Sequence, residues 1–146
     1  MLGDLASRYD LDLARKCYAN QNSSEQAILK HMYDPETRTF RHLWHANDGT
    51  QQHHPVKTIQ SLFPSLLSSL PSEALDEIIR LLNNENEFGT RYMIPTVSKS
   101  EPEYNPIANT LLLWRGPIWG FTNWFIMEGL EKHGKRYTYS AVLELM

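Results

Sequence analysis

The 146-residue sequence has little that would indicate a membrane-bound, secreted or nucleic-acid-binding protein. Its apolar runs, such as Leu111–Trp114, are far shorter than a membrane span, and no signal peptide follows Met1. The single cysteine, Cys17, excludes an internal disulfide and favours a reducing, cytoplasmic location. The net charge of −3 and the lack of a basic stripe argue against a nucleic-acid partner.

The composition is otherwise that of an ordinary globular domain, with 41% hydrophobic and 21% charged residues. A chain of this length can enclose a hydrophobic core, so we expect residues 1–146 to belong to a single domain. The tryptophans are unevenly distributed, because Trp114, Trp119 and Trp124 lie close together and only Trp44 lies elsewhere. This aromatic cluster is the first indication of a specialised surface.

Apolar residues recur at helical spacing along most of the chain, which predicts a mainly α-helical fold. Ser23 and Gln26 form a potential capping box, so the second predicted helix could instead be two helices. Pro64 is expected to kink the third helix, and Ser72 is expected to cap the fourth. The predicted helices are Leu2–Arg8, Leu11–Asp34, Val56–Leu70, Ser72–Leu82, Pro117–His133 and a last one that begins near Tyr137.

Two segments do not follow helical spacing. Thr37–Gln52 alternates weakly around the turn sequence Ala46–Thr50, which predicts a small β-hairpin. Asn83–Leu113 is rich in proline, asparagine and glutamate, and a loop of this length in a compact domain is usually functional. The helix after it, Pro117–His133, is apolar nearly all round and precedes Gly134, so we expect it to be buried on most sides.

The last predicted helix stops at Met146 without a cap, a glycine or a polar tail. An apolar helix that is interrupted in its second turn is unfavourable in water. We therefore expect residues 1–146 to be one part of a larger domain, truncated at both ends.

The segment Trp114–Trp119, of sequence WRGPIW, brings two tryptophans to the start of the apolar helix. Gly116 permits a tight turn, and the proline after it suits the first turn of a helix. Indole rings beside a guanidinium suit a sugar, because its C–H groups stack on the rings and its hydroxyls accept hydrogen bonds from arginine. The alternative is that both tryptophans are packing residues and that Arg115 braces a loop or faces solvent.

Several short motifs follow one another in a fixed order along the chain. They are Tyr33–Thr37, Leu62–Pro64, Phe88-Gly89, Ile94–Ser98, Glu101–Pro106, Trp114–Trp119, Asn123-Trp124, Gly129-Leu130 and His133-Gly134. This series closely resembles the C-terminal part of glycoside hydrolase family 63 and its mannosylglycerate-hydrolase-like and trehalase-like relatives. The tryptophan hexapeptide, preceded by a Pro-Thr-Val-Ser loop, is its most specific part.

The resemblance implies about half of an (α/α)6 toroid, an all-α fold in which inner and outer helices alternate. It also implies an inverting O-glycosyl hydrolase for an α-linked glucosyl or mannosyl substrate, with no cofactor and no metal. In the family the catalytic acid lies upstream of this segment and the base downstream, so we expect no catalytic residue here and no activity from this chain alone. The substrate-binding residues that the resemblance implies are Trp114, Arg115, Gly116, Trp119 and Asn123.

Other polar residues give weaker signals. The histidines between His42 and His54 match no common zinc-ligand spacing, so no metal site is predicted. Asn123, in the apolar helix, could face the pocket or bond to a neighbouring loop. The glutamates of the long loop are expected to face solvent rather than to act as acid or base, and they are Glu85, Glu87, Glu101 and Glu103.

Two functions of different classes are consistent with these patterns. In the first, the protein is a glycoside hydrolase and this segment contributes the sugar-binding wall of its active site. In the second, it is a non-catalytic helical module that binds carbohydrate or acts as a scaffold. Soluble, monomeric behaviour of these residues would favour the second, because half a toroid exposes an apolar inner face. The sequence predicts no oligomeric state.

Overall fold

The computed structural model describes residues 2–92, 94–107 and 113–134. Within these ranges the chain is mainly helical, as predicted, and carries two small antiparallel hairpins where one was expected. The helix predicted from near Tyr137 lies outside the described residues. The elements are α1 Leu2–Ala6, α2 Leu11–His31, β1 Tyr33–Asp34, β2 Thr39–Phe40, β3 Leu43–His45, β4 Gln51–His53, a 3-10 helix Ile59–Leu66, α3 Ser72–Asn83 and α4 Gly120–Lys132.

The helix α2 is continuous over 21 residues, so the alternative of two shorter helices is wrong. Asp10 caps its start, because the Asp10 carboxylate accepts hydrogen bonds from two backbone N–H groups of the first turn, at 2.9 and 3.0 Å. The apolar residues of this helix are only partly buried, since Ala14 is buried whereas Leu11 is 65% exposed. The polar middle of the helix instead contributes the buried Glu25.

The hairpin region forms two short ladders, in which β1 pairs with β2 and β3 pairs with β4. The predicted turn is present between β3 and β4, where Gly49 has a φ of +82° and the Ala46 N–H donates to the Thr50 carbonyl. The sequence pattern missed the first ladder because only Met32 separates β1 from α2, so no turn residue marks where the helix ends.

The third predicted helix is a 3-10 helix that covers only Ile59–Leu66. Pro64 lies inside it and is buried, and proline lacks the N–H group that a longer α-helix would need. The chain before it is extended, because Thr58 pairs with Val97 in an isolated antiparallel bridge. This bridge places the long loop directly beside the 3-10 helix.

The helix α3 has the predicted apolar spacing and extends one residue further than expected, to Asn83. Its cap differs from the prediction, since Pro71 occupies the N-cap position and Ser72 is the first helical residue. Its buried face packs into one cluster with the 3-10 helix, the long loop and α4. The buried members of this cluster are Ile59, Leu62, Leu75, Ile78, Leu81, Leu82, Phe88, Ile94, Ile126 and Leu130.

The helix α4 begins at Gly120 rather than at Pro117, because Ile118 is held in an antiparallel bridge to Pro95. Extended backbone at this bridge is incompatible with a helical turn, so the helix starts only after it. The helix ends at Lys132, one residue before the predicted His133, and Gly134 follows the C-cap at a φ of +68°.

Only one face of α4 packs against the core, so the expectation that it is buried on most sides is wrong for the described chain. Ile126 and Leu130 are buried, whereas Trp124 is 56% exposed. Gly129 permits close approach to the 3-10 helix, since a Cβ there would lie 2.7 Å from the Ser65 carbonyl carbon. None of the helices within the described ranges is both long and apolar enough to cross a bilayer.

Candidate functional site

The aromatic cluster forms a stacked pair of indoles at the start of α4, which we name the indole pair. The rings of Trp114 and Trp119 lie within 16° of parallel, and their centroids are 5.5 Å apart. Phe121 meets both rings edge-on, at centroid distances of 6.1 and 6.0 Å. Stacked and edge-on geometries are those that aromatic rings prefer, so the three rings hold one another in a defined orientation.

The two indoles of the pair are not equally accessible. Trp114 is 47% exposed. Trp119 has one face covered by Trp114, and it donates its indole N–H to the Leu113 carbonyl at 2.8 Å. Of the two indoles, Trp114 is therefore the more exposed, and Trp119 is half-buried.

Gly116 forms the turn between the two indoles. It is buried and has a φ of +148°, which favours glycine, and a Cβ there would lie 2.6 Å from the Asn105 carbonyl oxygen. The Gly116 N–H donates to the Thr96 hydroxyl at 2.9 Å. The turn is therefore tied to the long loop that precedes it in the chain.

The part of the long loop that receives this bond is the segment 94–98, which we name the strap, and all of its residues are buried. The Thr96 N–H donates to the Pro117 carbonyl at 3.3 Å, while the Thr96 carbonyl accepts from the Ile59 N–H at 2.9 Å. The strap consequently lies between the 3-10 helix and the turn that carries the indole pair.

Arg115 stands between Trp114 and the buried Gly116, and its side chain is exposed. Its backbone carbonyl accepts a hydrogen bond from the Asn105 N–H at 2.5 Å. The main chain of Arg115 thus braces the loop, while its side chain is exposed to solvent.

Asn123, one turn into α4, is fully buried and has polar partners for both ends of its amide. Its oxygen accepts from the Ile94 N–H at 2.8 Å, and its nitrogen donates to the carbonyls of Ile94 at 3.0 Å and Trp119 at 2.9 Å. Of the two roles left open by the sequence, the geometry is that of a bond to a neighbouring loop. Through these bonds Asn123 connects Ile94 of the strap to the backbone of Trp119 in the indole pair.

The expectation that the loop glutamates face solvent is wrong for two of them. The side chains of Glu87 and Glu101 retain only 12% and 15% exposure, and they approach the Lys57 ammonium at 2.5 and 4.0 Å. Glu85 is exposed, as expected, while one carboxylate oxygen of Glu103 is buried. The sequence offered no signal for this cluster, because Lys57 lies 30 residues from Glu87 and 44 from Glu101.

The exposed aromatic surface continues along α4 beyond the indole pair. Phe121, Trp124 and Phe125 are 52%, 56% and 41% exposed. An open cleft of about 620 Å³ adjoins this surface and is lined by Trp124, Phe125, Glu128 and, from α2, Tyr18. Contiguous apolar surface of this kind marks a region that binds a ligand or another part of a protein.

A family model described as the mannosylglycerate hydrolase MGH1-like glycoside hydrolase domain matches residues 2–146. Mannosylglycerate hydrolase MGH1 of Selaginella moellendorffii is 28% identical over 85 residues, which are 58% of this chain and 16% of that protein. A probable mannosyl-oligosaccharide glucosidase of Schizosaccharomyces pombe is 32% identical over 75 residues, which are 50% of this chain and 9% of that protein. The chain thus spans less than a fifth of these curated relatives.

The fold resembles part of several solved structures. The GH63 mannosylglycerate hydrolase from Thermus thermophilus in complex with glucose superposes with a TM-score of 0.74 at 20% identity, over 97% of this chain and 34% of that one. A sialidase superposes with a TM-score of 0.75 at 15% identity, over 99% of this chain and 14% of that one. At these identities the likeness concerns the fold alone.

Proposed function

This chain belongs to the mannosylglycerate hydrolase MGH1-like glycoside hydrolase domain family, and we propose that it forms part of the sugar-binding wall of a glycosidase active site. The observation that carries the proposal is the indole pair: two stacked rings, one of them 47% exposed, held at a turn by buried hydrogen bonds. Such a preorganised aromatic face suits the C–H groups of a pyranose ring.

Each residue of the predicted site has a distinct role in this proposal. Trp114 offers its open face to the sugar ring, and Trp119 supports it from behind. The exposed guanidinium of Arg115 donates hydrogen bonds to sugar hydroxyls or to a carboxylate of the substrate. Gly116 and Asn123 do not touch the substrate but fix the backbone on either side of the pair.

The catalytic carboxylates of the proposed reaction lie on other segments of the domain. An inverting glycosidase needs an acid and a base about 6.5–9.5 Å apart, with room for a water molecule between one of them and the sugar. Glu87 and Glu101 are poor candidates, because both are largely covered and share the Lys57 ammonium. We propose that residues 1–146 are one part of a single (α/α)6 toroid whose remaining helices supply the acid and the base.

The proposed substrate is an α-linked mannosyl or glucosyl compound. The named activities of two curated relatives, mannosylglycerate hydrolase and mannosyl-oligosaccharide glucosidase, support this choice. Mannosylglycerate carries a carboxylate as well as a pyranose ring, so the pairing of Arg115 with Trp114 suits it particularly well.

The test is isothermal titration calorimetry of the full-length protein with mannose, the sugar released in the proposed reaction, which the protein cannot cleave further. Trp114→Ala should weaken binding about tenfold, since an aromatic contact contributes about 0.5–1.5 kcal/mol beyond its buried area. Trp44→Ala is the matched control, because Trp44 is 45% exposed but lies on β3. Equal affinity of Trp114→Ala and wild type would overturn the proposal.

A hydrolysis assay separates the enzyme from the non-catalytic alternative. We expect the full-length protein to release mannose from α-linked mannosylglycerate with inversion, so that β-mannose is the first anomer to appear in an NMR time course. Binding through Trp114 without any hydrolysis of mannosyl or glucosyl substrates would favour a carbohydrate-binding module instead.

A further inference from the structure

The carboxylate of Glu87, just beyond the end of α3, is the meeting point of side chains from two other parts of the chain. Lys57 donates to both of its oxygens, at 2.5 and 2.7 Å. Ser98, the last residue of the strap, donates its hydroxyl to the same group, and Ser100 donates another at 2.9 Å. The α3 side of the core is therefore bonded directly to the strap.

The surroundings of Glu87 stabilise the ionised form of its carboxyl group. Burial acts to raise the pKa of this carboxyl, but the hydrogen bonds from Lys57, Ser98 and Ser100 outweigh burial and lower the pKa below its usual value. A charged acceptor makes stronger hydrogen bonds than a neutral one, so the ionised carboxylate holds its hydroxyl donors firmly.

The same residues are connected through their main chains. The Ser98 N–H donates to the Lys57 carbonyl at 3.0 Å, and the Lys99 N–H donates to the Glu87 carbonyl at 3.0 Å. The Lys57 N–H donates in turn to the Glu101 carboxylate at 3.2 Å. Both ends of the segment 98–101 are thus fixed to one cluster.

From the strap, the connection reaches the indole pair in two hydrogen bonds. Thr96, two residues before Ser98, accepts from Gly116 at 2.9 Å through its hydroxyl, and its own N–H donates to Pro117 at 3.3 Å. Gly116 and Pro117 form the turn between Trp114 and Trp119. Because Thr96 and Ser98 are buried, at 1% and 0% exposure, the strap has little freedom to shift independently of this cluster.

We propose that Glu87 is a positioning residue for the indole pair, acting through Ser98, the strap and Gly116 to hold the two rings in the orientation that receives the sugar. The expected effect of Glu87 on sugar affinity rests on the proposed function. The expected effect of Glu87 on the orientation of the two rings does not. A simple stabilising ion pair would affect unfolding alone, whereas a positioning residue affects the rings in the folded protein.

The experiment compares Glu87→Gln with Glu77→Gln in the full-length protein. Glu77 is a matched control, since it is also a covered carboxylate, at 16% exposure, and bonds to Arg80 on the same helix α3. The readouts are near-UV circular dichroism, which reports the coupling of stacked indoles, and the Kd for mannose, which the protein cannot cleave. Trp114→Phe provides the reference spectrum of a protein that lacks the indole pair.

For Glu87→Gln we expect near-UV bands shifted toward the Trp114→Phe reference and a Kd raised about tenfold, within the range produced by small displacements of binding groups. Helix content, seen in far-UV circular dichroism, should be unchanged. Glu77→Gln should match wild type in both readouts. A folded Glu87→Gln protein with the wild-type near-UV spectrum would overturn the proposal.

The experiment also distinguishes two other outcomes: a Glu87→Gln protein that does not fold, and a failure of the sugar-binding function. If Glu87→Gln does not fold, Ser98→Ala removes one bond to the carboxylate without leaving Lys57 unpaired. It should shift the near-UV bands in the same direction by a smaller amount, and a wild-type spectrum would again overturn the proposal. If Trp114→Ala leaves Kd unchanged while Glu87→Gln alters the near-UV spectrum, the sugar-binding function fails and the positioning role of Glu87 stands.

Discussion

The side of the molecule that carries the strap and the side that carries α2 each contain a covered carboxylate, and the two are bound differently. Glu87 is bonded by a lysine and two serines that come from before the 3-10 helix and from the long loop. Glu25, on α2, is bonded by neutral donors: the Ser69 N–H at 3.0 Å, the Ser69 hydroxyl at 2.7 Å and the Gln21 amide at 2.9 Å.

The comparison shows that two carboxylates with similar burial, Glu25 and Glu87, can have different structural roles. Glu25 joins one helix to one loop, on a side where several apolar residues of α1 and α2 remain exposed, such as Leu2 at 74% and Leu13 at 50%. Glu87 joins a cluster that continues through the strap to the indole pair. Loss of Glu25 should therefore reduce stability alone, and loss of contacts on the strap side should reduce both stability and sugar binding.

The largest effect is expected at Gly116. Gly116→Ala introduces a Cβ 2.6 Å from the Asn105 carbonyl oxygen at a φ of +148°, so backbone must move and the indole pair must move with it. We expect a loss of roughly 3 kcal/mol in unfolding free energy, from urea denaturation, together with loss of sugar binding. Gly120→Ala is the control, since a Cβ there meets nothing within 4 Å, and it should be neutral or slightly stabilising.

A somewhat smaller effect is expected at Asn123. Asn123→Ala removes three hydrogen bonds and leaves the N–H and carbonyl of Ile94 buried without that partner. We expect a loss of about 2 kcal/mol in unfolding free energy and weaker sugar binding. Asn86→Ala, at an exposed position, should change the unfolding free energy by less than about 0.5 kcal/mol. Equal effects of the two variants would contradict the role of Asn123 as the link between strap and indole pair.

The smallest of the three effects, and the one that sharpens the contrast, is expected at Glu25. Burial acts to raise its pKa, but the bonds from Ser69 and Gln21 outweigh burial and lower the pKa from 4.5 to about 2. Since the folded-state pKa is the lower one, this contribution to stability is present above about pH 4.5 and is lost as the pH falls toward 2.

Glu25→Gln should therefore reduce stability at pH 7 by about 1 kcal/mol and flatten the decline of stability between pH 4.5 and 2. Urea denaturation over this pH range measures both effects. Glu36→Gln, at an exposed position, is the control and should change the unfolding free energy at pH 7 by less than about 0.5 kcal/mol. The affinity of Glu25→Gln for mannose should equal that of wild type, and a tenfold loss would remove the distinction between the two sides.

The features that the sequence predicted correctly are local ones. The apolar spacing of α3, the turn at Gly49 and the glycine that follows α4 depend on residues within a few positions of one another. The 3-10 helix and the late start of α4 were missed because each depends on a bridge to the strap, through Thr58 and Ile118. Backbone pairing with a distant segment overrides the helical periodicity of the local sequence.

In the candidate site, too, the features set by local sequence were predictable and those set by distant contacts were not. The indole pair, Arg115 and Gly116 could be named from one hexapeptide, because their chemistry is contained in it. The contacts that hold them could not, since Gly116 lies 20 residues from Thr96, Asn123 lies 29 from Ile94 and Lys57 lies 30 from Glu87. A lone glutamate in a polar loop carries no sign that a distant lysine will cover it.

The most direct test of the central claim is a crystal structure of the full-length protein with mannose, the sugar released in the proposed reaction, bound. We predict that carbons of the sugar ring lie within about 4 Å of the Trp114 indole, with Trp119 stacked behind it and Arg115 directed at the ligand. A sugar bound at a distance from these residues, with the open face of Trp114 covered by another helix of the domain, would contradict the account.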